Sequence, residues 1–148
     1  MADEKSLVHE KALVWAKTNE QKYFSWMTPI KINKLIKEKK KIFTVSNTHN
    51  DVQITKCEYS KQEDLYLLKL QSGSKIICSD NIEFNIETIW VAMNEINHYE
   101  KLVELNILNN HFRESYAVSI EKVENARAFE FDTEDHTAII NNFLVKLY

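Results

Sequence analysis

The stretch LYLLKLQSGSKIIC, residues 65–78, contains the pattern that decides the fold. Two apolar segments rich in leucine, isoleucine and tyrosine flank a short polar connection, which is typical of two antiparallel strands joined by a turn. Gly73 lies inside that connection, where the absence of a Cβ allows the positive φ that a tight turn requires. This stretch therefore predicts a β-hairpin.

The chain on either side of this hairpin shows the same short, strand-like periodicity. Five further segments each favour one strand: 42–46, 52–56, 116–123, 128–131 and 137–147. Residues 84–92 favour a strand pair or a bend. A polar cluster over residues 47–51 predicts the turn of the first pair. The fold class is therefore mainly β, either a sandwich or an irregular antiparallel fold.

Three segments show helical spacing instead. Residues 3–22 predict an N-terminal α-helix capped by Asp3, residues 31–41 predict a short helix or turn, and residues 95–108 remain ambiguous. Pro29 disfavours helical angles at the residue before it, which separates the first two segments. The first helix would carry an apolar stripe of Leu7, Val8, Ala12, Trp15 and Ala16.

Composition excludes several classes of function. The chain has 148 residues, 44% apolar and 28% charged, which favours one ordered domain with a buried core. Its net charge of −3 provides no overall basic field for nucleic acid, so a nucleic-acid partner is disfavoured. A single glycine rules out glycine-rich phosphate loops and dinucleotide-binding fingerprints.

Cysteine usage and the N-terminus indicate an intracellular, cytoplasmic protein. The two cysteines, Cys57 and Cys78, are too few for a disulfide framework, so we expect buried free thiols. The sequence shows neither an apolar run of membrane-spanning length nor a signal-peptide pattern, so no membrane partner is expected. Only Arg113 and Arg127 among the 19 basic residues are arginine, a bias typical of AT-rich coding sequences such as those of many phages and low-GC bacteria. For a phage protein, the location would be the host cytoplasm or the virion.

Four segments in this order resemble the Hint domain, the fold shared by inteins and hedgehog autoprocessing domains: residues 23–36, 68–80, 90–96 and 129–145. Thr28 stands where the family has a threonine soon after its first residue, and residues 68–80 resemble the hairpin that leads into its Thr-x-x-His motif. The resemblance implies a Hint-like β domain over residues 23–148. Residues 1–22 would form a helical extension that the family does not carry.

The family's self-processing requires specific side chains, and the resemblance implies that this chain lacks them. A thiol or hydroxyl at the first position attacks the preceding carbonyl, and the histidine of Thr-x-x-His activates that amide. A final His-Asn pair followed by Cys, Ser or Thr completes splicing. The matching positions here are Tyr23 for the nucleophile, Ile82 for the activating histidine, and Lys146, Leu147 and Tyr148 for the last three. Among the residues that match the family's reactive positions, only His136, which matches the histidine of the conserved block near the end of the domain, is of the type that the family has.

In Hint domains the chain ends and the Thr-x-x-His loop converge on one cleft. The resemblance therefore implies that Tyr23, Ile82 and Leu147 lie together. Because these side chains are large and mostly apolar, we expect the cleft to be packed shut, with the Tyr23 hydroxyl bonded to His136 or a backbone carbonyl.

Other candidate sites have simpler structural interpretations. Ser25 and Cys78 could act as displaced nucleophiles, but neither has a base at a motif spacing. The two cysteines and five histidines show no zinc-ligand spacing, so neither a metal nor a cofactor is expected. Residues 37–41 favour a solvated basic turn over a phosphate site, because Glu38 interrupts the lysines.

A histidine–carboxylate cluster and the set of three tryptophans also have competing interpretations. His136 with Asp132, Glu134 and Asp135 could form an acid–base cluster, although a turn that positions the last strand is favoured. The tryptophans Trp15, Trp26 and Trp90 are more typical of core than of a ligand platform.

The sequence as a whole predicts a non-catalytic, intein-like domain acting as a protein-binding or structural module, in a phage or mobile-element protein. We expect a protein partner, with Leu7, Val8 and Trp15 of the N-terminal helix as its contact residues. The alternative is a self-processing domain that uses a non-standard nucleophile.

Overall fold

The computed structural model describes residues 5–45, 50–106, 109 and 111–148. Helix α1 spans Pro29–Lys37, and a 3-10 turn spans Met93–Glu95. The strands are β1 (Leu7–His9), β2 (Val14–Thr18), β3 (Ser25–Met27), β4 (Ile42–Val45), β5 (Asp51–Leu70), β6 (Lys75–Cys78), β7 (Glu83–Ile86), β8 (Ile89–Ala92), β9 (Lys101–Asn106), β10 (His111–Thr133), β11 (Thr137–Ile140) and β12 (Phe143–Lys146). Within the described part of the chain, no helix is long and apolar enough to cross a bilayer.

The strands form one antiparallel sheet that curls back on itself. Its order is β11-β2-β4-β5-β6-β1-β10-β9-β12-β7-β8, with β3 paired to β2. Two additional pairings, β11 with β12 and β5 with β10, close this path into rings. Closure leaves few unpaired strand edges and encloses an apolar interior. The mainly β, antiparallel fold class is confirmed.

The long strands β5 and β10 form the frame of the molecule. They pair from Ile54 opposite Thr133 to Leu70 opposite Ala117, with several register shifts along the way. Such irregularities bend and twist a two-stranded ribbon. At one end of this ribbon β5 also pairs with β4, and at the other end β10 also pairs with β9. The separate strands predicted over 116–123 and 128–131 are therefore parts of one continuous strand.

Several local predictions are confirmed. β5 and β6 form the hairpin predicted over residues 65–78, and Gly73 adopts a φ of 99° in its turn. Helix α1 begins after Thr28, whose side chain accepts a hydrogen bond from the Lys31 N–H. Residues 84–92 form the β7–β8 pair. In the ambiguous segment 95–108, residues 101–106 form β9, whereas 107 and 108 lie outside the described residues. Most of the predicted turn over 47–51 also lies outside them.

The N-terminal helix predicted over residues 3–22 is wrong. Strands β1 and β2 occupy this segment, and Asp3 lies outside the described residues. Within β2, burial alternates with a period of two, because the strand pairs with β3, β4 and β11. Val14 pairs with Met27, so the predicted domain boundary after residue 22 falls between paired strands. The apolar residues whose spacing suggested a helix therefore lie in and between two short strands.

The sheet carries apolar residues on both faces around β11 and β12. One face belongs to the main core, which includes Ile140, Phe143 and Val145. The other face buries Ile139 and Leu144 under a set of partly buried rings that we call the outer aromatic cluster: Trp15, Phe24, Trp26, Trp90 and Phe112. All three tryptophans of the chain belong to this cluster, where they pack on buried residues as predicted but remain partly exposed.

A buried carboxylate ties the turn of the β5–β6 hairpin to β9 and β10. Glu104 is fully buried, and its Oε1 lies 2.7 Å from the Arg113 Nε. Its other oxygen accepts a hydrogen bond of 3.0 Å from the Ser72 hydroxyl. Because a buried charge is stable only when it is paired and hydrogen-bonded, these contacts hold the hairpin turn against the sheet.

Candidate functional site

The start of β1, the loop after β6 and the end of the chain meet at one place, which we call the junction. It consists of residues 5–7, 79–82 and 147–148. The Leu7 N–H donates to the Ser79 Oγ at 2.9 Å, and the Ser79 N–H donates to the Leu7 carbonyl at 2.8 Å. These reciprocal bonds join segments that are 72 residues apart in sequence.

Polar groups complete the outer part of the junction. The Asn81 Nδ2 donates to the Lys5 carbonyl at 3.0 Å, and the Ser79 hydroxyl donates to the Asn81 Oδ1 at 2.7 Å. The Tyr148 N–H donates to the Ser6 Oγ, which fastens the chain end to the start of β1. The Ser6 carbonyl accepts from the Phe131 N–H at 3.0 Å, as part of the sheet.

The inner part of the junction is hydrocarbon. Ile82 is 0% exposed and Leu147 is 3% exposed, and both belong to the main core together with Val8. The Leu147 N–H donates to the His136 carbonyl at 2.6 Å, so its backbone is fixed as well. As expected from the sequence, Ile82 and Leu147 fill space in the core.

Tyr23 does not take part in this packing. Its side chain is 74% exposed in the connection between β2 and β3, with the Lys22 Nζ 5.5 Å from its ring centre. The prediction that it is packed into a closed cleft with Ile82 and Leu147 is therefore wrong. Residues 5–7 lie where the resemblance had assigned Tyr23, because the chain from β1 onward already belongs to the sheet.

Sequence reasoning missed Lys5, Ser6, Ser79 and Asn81 as junction residues. A signal for the earlier start existed in residues 14–18, where Val14, Ala16 and Thr18 alternate with larger side chains at the period of a strand. Reading that segment as β2 would have moved the start of the Hint-like fold before residue 14.

His136 lies in the turn between β10 and β11. Its Nδ1 is 2.8 Å from the Asp132 Oδ1, and its backbone adopts a φ of 64°. The Asp135 Oδ1 accepts from both the N–H and the hydroxyl of Thr137, at 3.0 and 2.7 Å. These contacts form a closed turn of the kind the sequence favoured, and the His136 carbonyl positions Leu147. Lys146 pairs with Glu83 of β7 in the neighbouring strand register.

Two of the three predicted partner-contact residues are unavailable to a partner. Leu7 is 9% exposed and Val8 is 0% exposed, because β1 pairs with both β6 and β10. Trp15 lies in the outer aromatic cluster, 4.8 Å from the Trp26 ring centre and stacked on Phe24 at 6.2 Å. Of these three residues, only Trp15 has a side chain near the surface.

The thiols are unsuited to nucleophilic chemistry. Cys57 and Cys78 are both buried and free, which confirms the expectation from the sequence. Burial raises the pKa of Cys57 to about 12, and burial also raises the pKa of Cys78. A thiol that remains protonated at neutral pH is a poor nucleophile. Ser25, the other displaced candidate, lies on β3 opposite Ala16.

The histidines, cysteines and carboxylates of the described residues include no group of three that could hold a metal ion. His49, one of the five histidines, lies outside the described residues.

No protein-family profile matches the chain, and no curated protein matches it by sequence. Solved inteins match it by structure over nearly its whole length. The DnaB intein from Synechocystis sp. PCC 6803 superimposes with a TM-score of 0.76 at 16% identity, covering 97% of this chain and 99% of the intein. The VidaL intein gives a TM-score of 0.77 at 11% identity, with coverage of 97% and 98%. The gp41-1 intein gives 0.71 at 16% identity, with coverage of 97% and 99%. At this level of identity the likeness concerns architecture, and the chain has the Hint fold seen in these inteins.

Proposed function

We propose that this chain is a splicing-inactive Hint-fold domain that serves as a protein-binding module. The observation that carries the proposal is Ile82, which stands at the end of the Ser79–Ile82 loop with a fully buried hydrocarbon side chain. The family's reaction needs an imidazole at this position to protonate the amine that leaves. Isoleucine can neither donate nor accept a proton.

The remaining junction residues support the same conclusion. Leu7 offers no nucleophile, and the Ser6 hydroxyl oxygen already accepts the Tyr148 N–H, which cannot remove its proton. Leu147 has no carboxamide that could attack its own carbonyl. The junction therefore has the connections of a Hint domain without the side chains that processing requires.

A role in protein binding is supported by the outer aromatic cluster. Its three tryptophans and two phenylalanines are only partly buried, although the residues beneath them, Ile139 and Leu144, are fully covered. Tryptophan is enriched among the residues that dominate binding energy at protein interfaces. Aromatic rings held on a rigid sheet bind without a large loss of conformational entropy.

Intact mass measurement tests the catalytic half of the proposal. The purified chain, incubated with hydroxylamine or dithiothreitol, should remain one species of full mass, since these reagents cleave only an ester or thioester. Capture of partners from cells that express the protein tests the binding half. We expect a Trp15→Ala variant of unchanged fold to capture its partner less well, and equal capture would contradict a role for the cluster.

A second candidate function, self-processing at the Lys5–Ser6 bond, is favoured by one contact. The Asn81 Nδ2 donates to the Lys5 carbonyl at 3.0 Å and would polarise it. In this reaction the Ser6 Oγ would bond to the Lys5 carbonyl carbon, the Lys5–Ser6 C–N bond would break, and the hydroxyl proton would move to the new Ser6 amine. Loss of residues 1–5 in hydroxylamine, abolished by Ser6→Ala, would establish this alternative and overturn the inactive assignment.

A further inference from the structure

A groove with basic walls and an apolar floor runs beside β1, opposite in charge to the chain as a whole. Two adjoining cavities of about 210 and 260 Å³ share Lys75 and Asn141. The first is lined mainly by residues that we call the basic groove: His9, Lys11, Leu67, Lys75, Ile77 and Asn141. The second extends the basic groove past Leu13, Asn142 and Trp26.

The floor of the basic groove comes from strand pairing. Leu67 of β5 lies directly opposite Ile77 of β6, so both side chains face the same side of the sheet. Ile77 is partly buried and packs on the small apolar cluster around Leu65. This floor offers apolar contact for a side chain of a ligand, whereas the cavity volumes are too small for a folded domain.

The charges around the floor are unbalanced. Lys69 and Lys75 lie directly opposite each other in the β5–β6 register, an arrangement that is unfavourable for like charges. Lys11 adds a third exposed lysine at the other side of the groove. Glu121, opposite Leu67 in the register of β10, places a carboxylate beyond the far end of the floor. The net charge at the groove is positive, although the whole chain carries −3.

His9 adds a neutral hydrogen-bond donor beside Lys11 in the lining of the groove. Its Nδ1 accepts the Lys11 N–H at 3.0 Å, so a neutral ring carries its proton on Nε2. Burial lowers the pKa of His9, which favours this neutral form at neutral pH. The side chain therefore offers an N–H to a ligand without requiring a change of protonation.

The opposite wall is fixed in advance by the turn between β11 and β12. The Asn141 Nδ2 donates to the Lys75 carbonyl at 2.9 Å, and its Oδ1 accepts from the Leu13 N–H at 2.6 Å. The neighbouring Asn142 has a buried Oδ1 that lacks a hydrogen-bond partner among the described residues. A buried acceptor without a donor is costly, and because this oxygen is closed off from solvent, it offers no contact to a ligand lying in the groove.

We infer that the basic groove binds an extended segment of a partner protein in which acidic and apolar side chains alternate. Carboxylates would pair with Lys11, Lys69 and Lys75, while apolar side chains would lie on Leu67 and Ile77. This inference rests on the proposed protein-binding function and specifies the contact site and the chemistry of the partner. Because the hydrogen bonds of Asn141 to Leu13 and to the Lys75 carbonyl already hold one wall in place, less ordering of that wall would oppose binding.

Fluorescence anisotropy with labelled synthetic peptides tests the inference. A peptide of alternating leucine and glutamate should bind the full chain, whereas one of alternating leucine and lysine should not. Lys11→Gln and Lys75→Gln should each weaken binding by about fivefold, the most that one exposed charge pair usually contributes. The weakening should shrink as salt is added, because screening reduces the contribution of exposed charges.

Lys31→Gln is the matched control, since Lys31 is an exposed lysine on α1. Equal loss of binding in Lys31→Gln and Lys75→Gln, no binding of the acidic peptide, or tighter binding of labelled oligothymidylate would each overturn the inference. The outcome is separable from that of the proposed function. Partner capture that depends on Trp15 but not on Lys75 would overturn the groove assignment alone, whereas release of residues 1–5 would overturn only the inactive assignment.

Discussion

The junction and the basic groove share the three-residue strand β1 and are opposite in character. Leu7 and Val8 are buried and connect the chain start to β6 and β10. His9, the next residue, lines the basic groove. At the junction, backbone and side-chain polar groups bond to one another over a hydrocarbon base. In the groove, exposed lysines lie beside an apolar floor, and two of them, Lys69 and Lys75, face each other as like charges.

We therefore expect neighbouring residues of β1 to have different roles: those at the junction stabilise the fold, and those in the basic groove bind a ligand. Changes at the junction should lower the free energy of unfolding, because they remove packing or leave buried polar groups unpaired. Changes in the groove should affect ligand binding while leaving the fold intact. Each of the following predictions tests one side of that separation.

The largest effect should come from Ile82→Ala. Removing a fully buried isoleucine side chain from the main core should lower the free energy of unfolding by about 2–5 kcal/mol, through lost burial and the cavity left behind. Urea unfolding followed by tryptophan fluorescence measures this change. Ile30→Ala, at an exposed position on α1, makes the same chemical change and should stay within about 0.5 kcal/mol of the wild type. Similar losses in both variants would show that the base of the junction is not tightly packed.

Ser79→Ala should have the next largest effect. It removes the acceptor of the Leu7 N–H and the donor to Asn81, so a backbone N–H in the sheet loses its partner. We expect a loss of about 1–3 kcal/mol in the free energy of unfolding, measured by urea unfolding. Ser25→Ala, on the exposed edge of β3, provides the comparison and should change little. A neutral Ser79→Ala would mean that the loop after β6 is not fastened to β1.

Alkaline pH should weaken the fold through Cys78, which adjoins the junction. Because burial raises the pKa of this thiol in the folded state, its contribution to stability is complete below the ordinary pKa of 9.0 and declines as pH rises above that value. The decline should be about 1.4 kcal/mol for each pH unit above 9 until the folded-state pKa is reached. The difference in urea stability between wild type and Cys78→Ala, followed from neutral to alkaline pH, isolates this contribution from that of other groups. A constant difference across that range would contradict the burial of the thiol.

The smallest change in the free energy of unfolding should come from Lys75→Gln. Unlike the changes above, this substitution should increase stability. Removing one of two lysines that face each other across β5 and β6 relieves like-charge repulsion, so the variant should gain about 0.2–0.5 kcal/mol in stability. Thermal unfolding at low salt should show a slightly raised Tm, and the gain should vanish at high salt. The same substitution is expected to weaken peptide binding. A destabilised Lys75→Gln would mean that the lysine already has a compensating partner in the fold.

Local chemistry in the sequence was sufficient for many elements. The β5–β6 hairpin follows from the alternation around Gly73. The helical spacing over residues 31–41 predicts a short helix or turn, although helix α1 begins earlier, at Pro29, and ends earlier, at Lys37. The mainly β class follows from many short apolar runs separated by polar turns. The same sequence pattern supported the resemblance to Hint domains, because residues 68–82 contain both the hairpin and the loop position of Ile82.

Only the tertiary structure decided how the N-terminal residues are used. The apolar residues at positions 7–16 fit a helical stripe as well as two strands, and short apolar runs do not distinguish between these structures. Pairing of Val8 with Cys78 and Phe129 resolves the ambiguity, because the rest of the sheet supplies the hydrogen bonds that make the segment extended. The junction likewise depends on partners far apart in sequence, such as Ser6 and Tyr148 at a separation of 142 residues. Contacts of this kind arise from closure of the whole sheet, so the alternation over residues 14–18 indicates an earlier start of the fold but does not show that Ser6 bonds to Tyr148.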